Sequence, residues 1–379
     1  MTCRYKKTVF IVVFFCVISF FSLAVRGEDN MILPEELTDA RDKLPNESEE
    51  MLPDSMFSDD LSGLADGIEE FLNPKNVFGI IKNTVSGHVG EGIRLFAALL
   101  SIVVISSLIS SLGRVVENEA LTNVFGILRV GVVFCSVLEV LKLHMSDVIE
   151  YFERLNSLMV CMIPALGATL AMGGNINSAA TSSSTLYGFI TVSEGICAVS
   201  VMPICVTVTS FALVSGISPD MKLGRISGTI KKGYSIFLGF IMTVMLTILS
   251  ATTEIASAAD GVASKTAKLA ASTFIPVVGG SVGETLRTVA ASVGYIKSVV
   301  GISGIVFLVS LLLPTLISLI VCRTVFMITS TVADMLGSEA EAGFIGELGN
   351  VFGCLIAVVA MTSVMFIIAL YIFVKISVA

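Results

Sequence analysis

The chain has 379 residues, 54% of them hydrophobic and 14% charged, with a mean hydropathy of +0.92. Soluble globular domains carry roughly 25% charged residues, so this composition excludes an ordinary water-soluble protein and points to an integral membrane protein. The formal net charge of −8 belongs to one segment: residues 1–26 hold four bases and no acid, residues 27–92 hold sixteen acids against four bases, and residues 93–379 hold fifteen of each.

In chain order, Arg4, Lys6 and Lys7 precede the apolar run 9–21, and small residues follow at Ser22 and Ala24, or Val25 and Gly27. This is the pattern of a secretory signal peptide over residues 1–27, with an uncleaved anchor as the alternative. A signal peptide implies that the acidic segment 28–92 is exported. Its first part, 28–56, is rich in acids, Pro and Ser, a composition that predicts disorder or loose structure. From Met56 the pattern changes. Phe57, Leu61, Leu64, Ile68, Phe71 and Leu72 recur at helical spacing, with Ser58 as N-cap and Asn73-Pro74 as a stop. A second amphipathic stretch covers 77–85. The first stretch is acidic where lipid-binding helices are usually basic, so packing against protein is the better reading.

The remainder, 93–379, reads as a multi-spanning membrane domain. Six stretches reach about 20 apolar residues, the length of a spanning helix: 93–113, 124–143, 186–214, 234–255, 299–321 and 351–374. Two shorter ones contain motifs that interrupt helices. Residues 158–172 hold Met162-Ile163-Pro164-Ala165-Leu166-Gly167, and residues 269–283 hold Phe274-Ile275-Pro276-Val277-Val278-Gly279-Gly280. Proline removes a backbone donor and Gly-Gly favours a break. Broken backbone at bilayer depth survives only where protein or a watery cavity satisfies it, so Pro164, Gly167, Pro276, Gly279 and Gly280 are candidate re-entrant or gating positions. Charge bias places them. The loop 215–233 carries Lys222, Arg225, Lys231 and Lys232 against Asp220 alone, a cytoplasmic signature. If 158–172 dips and returns on the outer side, that loop is inside while 27–92 is outside, in agreement with the signal peptide. The predicted fold class is therefore an all-α polytopic membrane protein with about six spanning helices and two re-entrant or interfacial segments.

The two motifs lie 112 residues apart, and Pro203 with Pro314, and Gly126 with Gly239, keep nearly the same interval. A unit of about 112 residues thus recurs over 124–236 and 237–350, as transport proteins often show. The alternative is coincidence of Pro and Gly in a chain with 32 glycines. Small residues such as Gly131, Gly239, Gly301 and Gly304 suit close helix packing. The helical stretches 256–272 and 284–298 flank the second motif, and the polar run 175–185 reads as an outer loop or vestibule.

Arg129 and Glu139 fall in one span and Glu194 in the next. Intramembrane charge costs at least roughly 2.5–3.5 kcal/mol and normally faces a partner or water, although residues near helix ends can snorkel. Glu194, placed deeper, is the strongest candidate for a pore or partner role. The eight cysteines form no C-x-x-C pair, and His88 and His144 have no partner at metal spacing. No serine-centred nucleophile motif or phosphate-binding glycine loop occurs, so the expectation is a non-enzyme without cofactor or metal. No basic patch suits nucleic acid. The partners expected are the lipid bilayer and other proteins, self-association included.

The signal peptide, the acidic exported segment, the Asn73-Pro74-Lys75 junction, the Gly92-Ile93-Arg94 start of the first span, and the Pro276 motif through Ser281 followed by an amphipathic helix together resemble the stage III sporulation protein AE family of endospore-forming bacteria. The resemblance implies a multi-pass protein of the mother-cell membrane around the engulfed forespore. It also implies action with other proteins of its operon, and a forespore-anchored partner, in a secretion-like channel complex. It carries over no catalytic residues. The rival expectations are a self-contained small-solute transporter with Glu194 in its site, and a structural scaffold.

Overall fold

The computed structural model describes residues 35–58, 60–113, 119–196, 201–217, 224–274 and 279–376. The signal-peptide region 1–27 and Pro276 lie outside them. The described elements are all helical, as the composition predicts.

Four short elements come first: α1 (Glu35–Arg41), α2 (Asn46–Glu49), a 3-10 turn (Asp54–Phe57) and α3 (Leu61–Leu72). They correct the expectation of disorder over 28–56 in its described part. Leu37, Ala40, Leu44, Leu52 and Met56 are all buried, so the apolar minority faces inward while the acids coat the outside. Composition averages over both and hides the arrangement. Helix α3 buries Leu61, Leu64, Ile68 and Phe71, the face its spacing predicts. Its cap differs from expectation, because Ser58 Oγ turns back to donate to Ser55 O at 2.8 Å and Asp60 precedes the helix.

Asn73 both ends α3 and starts α4 (Pro74–Gly113), its Oδ1 accepting from Lys75 N at 3.2 Å. Proline suits the first helical position, where no donor is required. Helix α4 absorbs the stretch 77–85 and the span 93–113, expected as separate elements. The glycines between them stay helical, since none takes a left-handed conformation.

The rest is a bundle of long helices: α5 (Glu119–Met172), α6 (Ile176–Gly195), α7 (Met202–Ile217), α8 (Gly224–Phe274), α9 (Gly279–Met335) and α10 (Glu339–Lys375). Helices α5–α6 and α9–α10 form hairpins whose tips turn at Gly174 (φ 82°) and Gly337 (φ 76°). Both are left-handed conformations that favour glycine. The α9–α10 hairpin is central and packs on α4, α5, α7 and α8. Its close approach uses the small residues picked out above. A Cβ on Gly301 would stand 2.3 Å from Val374 Cγ2, and one on Gly304 2.4 Å from Met162 Cε. Phe326 and Phe352 stack across the hairpin with centroids 5.1 Å apart.

Among the described residues, four helices are long and apolar enough to cross a bilayer: Pro74–Ile109, Gly228–Thr266, Ala290–Met335 and Glu339–Lys375. They contain the predicted spans 93–113, 234–255, 299–321 and 351–374, apart from the last residues of the first. The span 124–143 lies within α5, and 186–214, expected as one crossing, is divided between α6 and α7. The segments 256–272 and 284–298 are not separate helices but parts of α8 and α9. The repeat units also differ in build. Gly174 turns the chain in the first, while the residue 112 positions later lies inside α9.

The apolar segments do not share one level. Ser106 and Arg129, in the spans 93–113 and 124–143, both meet Glu341. That residue precedes the segment 351–374 by roughly three helical turns, about 15 Å along the axis. The first two spans are thus offset along the bundle from the last two.

Candidate functional site

A proline inside a helix orphans the carbonyl four residues earlier. In α9, Pro314 does this to Ser310, and Ser48 of α2 donates its hydroxyl to that carbonyl at 3.2 Å. The Pro314 carbonyl itself lies 3.2 Å from His88 Nε2 of α4. Three elements distant in sequence therefore meet around Pro314, where the Ser310 carbonyl is the acceptor that a regular helix would keep for itself.

A polar cavity of about 640 Å³ opens at this junction. Its walls include His88 and Glu91 of α4, Asp147, Glu150 and Arg154 of α5, and the 44–48 segment of the N-terminal unit. Arg154 donates to Glu150 at 2.5 Å, one turn apart on α5. Also in the cavity wall, His144 sits between Asp147 (Nδ1–Oδ2 3.1 Å) and Cys322 of α9 (Nε2–Sγ 2.9 Å), edge-on to Phe352. Thiol, imidazole and carboxylate in that order can activate a nucleophile. Cys322, however, is only 6% exposed and is not among the cavity walls. As placed, the three groups tie α5 to α9.

The N-terminal unit is fastened at further points. Lys43 Nζ donates to Cys161 Sγ of α5 at 3.0 Å, and this contact raises the Lys43 ammonium above the ordinary lysine range. Arg41 donates to Phe57 O at 2.9 Å and stands over the Phe57 ring, closing the unit on itself. Among the described residues no group of three or more His, Cys, Asp or Glu is placed to hold a metal ion.

The residues singled out from sequence scatter. Arg129 finds the partner that an intramembrane charge requires: its Nε lies 3.5 Å from Glu341 Oε1 of α10, which also accepts from Ser106 Oγ of α4 at 2.5 Å. This three-helix knot lies beside the Gly337 turn, where Ser107 donates to Leu336 O at 2.9 Å. Glu139 and Glu194 are exposed and form no common site with Arg129. Pro164 does not break its helix: α5 runs through it, and the chain turns back only at 173–175. The proline is exposed, and the carbonyl it orphans belongs to Val160 on the same open face. Gly167 is the close-packing residue of that motif, since a Cβ there would stand 3.0 Å from Ser183 Oγ of α6. Gly279 and Gly280 open α9.

Sequence reasoning missed Ser48, His88 and His144 as one neighbourhood, because none stands at a recognised spacing from another. The available signal was Pro314, a buried helix proline whose orphaned carbonyl demanded a donor from elsewhere. It also missed Asp260 of α8, which accepts from Asn177 N, Ser178 N and Asn177 Nδ2 at 3.1, 2.8 and 2.9 Å. Asp260 thereby caps α6, whose own preceding residue Asn175 makes no side-chain cap.

Comparison with known proteins places this architecture. Residues 57–377 match the family described as Stage III sporulation protein AE. The stage III sporulation protein AE of Bacillus subtilis (strain 168) is 23% identical over 221 residues, which is 58% of this chain. The match spans 55% of that relative's length. No solved structure matches the chain. A family match that starts in the 3-10 turn before α3 and runs to the end of the described bundle covers most of the protein, and the chain belongs to the stage III sporulation protein AE family.

Proposed function

We propose that this sporulation protein is a membrane-embedded subunit of a mother cell-to-forespore export or feeding channel complex needed for endospore development. It sits in the mother-cell membrane around the forespore, with its acidic N-terminal unit on the extracytoplasmic side. The other stage III operon proteins and a forespore-anchored partner are its neighbours.

The observation that supports this reading is the division of apolar surface. The most apolar windows of α9 and α10 are 67% and 61% buried within the protein, while those of α4 and α8 are 22% and 17% buried. A single chain thus closes its own core, sealed at Gly301 and Gly304, and leaves two apolar flanks for lipid or neighbouring subunits. The acidic unit, fixed to α5 and α9 through Lys43 and Ser48, offers a charged surface held at constant geometry. A self-contained transporter would gather Glu194 and Pro164 into one interior site, and both residues are exposed. A non-conducting scaffold is the second reading, favoured by the same closed core.

The test is isolation of the tagged full-length chain from sporulating cells in mild detergent. Recovery of the other stage III operon membrane proteins is expected. Recovery of the chain alone, with solute uptake by liposomes holding only this protein, would overturn the proposal in favour of a transporter.

A further inference from the structure

A second, smaller pocket of about 170 Å³ lies between α8, α9 and α10, away from the cavity at Pro314. Its polar lining comes from Lys231, Ser235, Arg323 and Asn350. Lys231 pairs with Glu347 of α10 at 2.9 Å. Among the described residues no carboxylate or carbonyl is placed against the Arg323 guanidinium. That group instead rests over Gly353, where a Cβ would stand 3.1 Å from its Cζ and Nη1. Glycine at this position leaves the planar fork room to lie against backbone. With Lys231 and Glu347 cancelling, the pocket keeps one uncompensated positive charge, in the form best suited to bidentate recognition of phosphate.

Its position names the source of the phosphate. Lys231, Arg323 and Asn350 stand where three apolar segments end, beside 234–255, 299–321 and 351–374. On α8 the change from polar to apolar is abrupt. Lys232 is exposed, and the next turns present Ile236, Phe237 and Phe240 at 65%, 53% and 66% exposure. The pocket therefore lies at the level where lipid-exposed apolar surface begins on α8, the depth at which a phospholipid carries its headgroup. A free phosphate has no reason to prefer that level.

We propose that this pocket binds the phosphate of an anionic membrane phospholipid, held at the level where the apolar segments of α8, α9 and α10 end. Basic pockets between membrane helices are suited to such headgroups. The site is independent of the channel reading, because neither its geometry nor its ligand requires a partner protein.

The experiment is native mass spectrometry of the full-length protein, delipidated in detergent and titrated with phosphatidylglycerol, phosphatidylcholine or inorganic phosphate. Phosphatidylglycerol is expected to be retained in preference to phosphatidylcholine. Arg323→Gln is expected to weaken it at least about fivefold, the effect of one interfacial cation, and Arg323→Lys to weaken it less. Glu347→Gln, which releases Lys231, is expected to tighten it. Should Arg323→Gln not yield folded protein, Ser235→Phe fills the pocket from α8 without altering charge and is expected to lower retention as well. Equal retention of the two lipids, or unchanged binding in Arg323→Gln or Ser235→Phe, overturns the site. Inorganic phosphate binding as tightly as phosphatidylglycerol overturns the lipid as its source.

Discussion

Asp260→Ala removes the cap that α8 supplies to α6, and its effect can be worked from the contacts. The carboxylate accepts two backbone donors, Asn177 N at 3.1 Å and Ser178 N at 2.8 Å, and the Asn177 side chain at 2.9 Å. Loss of a helix cap costs about 0.5–2 kcal/mol. A carboxylate at a partly buried helix N-terminus adds up to about 2 kcal/mol through the macrodipole. Ser178 is fully buried and Asp260 is 3% exposed, so water does not readily replace the lost acceptor. The expected destabilisation is about 2–4 kcal/mol for Asp260→Ala. Asp260→Asn keeps one acceptor but loses the charge, and is expected to cost about half as much. Hydrogen exchange of the full-length protein in detergent reads the effect locally: the amides of residues 177 and 178 lose protection, and the α5–α6 hairpin tip loosens with them. Unchanged protection in Asp260→Ala would refute the capping argument, whatever happens to global stability.

Other outcomes follow from the same contacts. Ser48→Ala removes the donor to the Ser310 carbonyl and should cost about 1 kcal/mol in thermal unfolding; in a Pro314→Ala background, where residue 314 regains an N–H for that carbonyl, the same change should be nearly neutral, and a cycle without coupling contradicts the account of Pro314. Glu341→Ala removes the carboxylate that Arg129 Nε and Ser106 Oγ share and is expected to cost about 1–3 kcal/mol, whereas replacing the exposed Glu139 with Ala should change stability by less than about 0.5 kcal/mol. Gly301→Ala drives a methyl group against Val374 and is expected to cost about 1–3 kcal/mol, with recovery in the double variant Gly301→Ala, Val374→Ala. Pro164→Ala should be tolerated without loss of function, because that proline already lies in a continuous helix; abolished sporulation at normal protein abundance would restore it as a gating element.

What was legible in the sequence was mostly periodic. The face of α3 follows from apolar spacing alone, and four of the six predicted spans lie in helices long and apolar enough to cross a bilayer. Pro164 shows where such reading stops. A proline in an apolar run signals a break, but an exposed helix face absorbs the lost bond, and the turn falls ten residues later at Gly174, in the run Gly173-Gly174-Asn175 that is the stronger helix-stop signal. Burial was equally hidden. The segments 299–321 and 351–374 are as apolar as lipid-facing helices, yet their hydrophobicity serves a protein core. Arg129 was correctly identified as needing a partner, but Glu341 lies beyond the predicted spans, and only the offset between helices brings the two together. The cavity at Pro314 was beyond reach because its walls come from 44–48, α4, α5 and α9, and their registration depends on tertiary packing.

The central claim is that the acidic N-terminal unit is a fixed part of the bundle and meets partner proteins of the sporulation complex outside the mother cell. Photocrosslinking tests it most directly, with a reactive side chain placed at the exposed Glu50 of the full-length chain in sporulating cells. The account predicts crosslinks from Glu50 to another stage III operon protein or to the forespore-anchored partner, and none of these from a probe at Leu37, which is buried within the unit. Crosslinks from Glu50 to cytoplasmic proteins alone would contradict it.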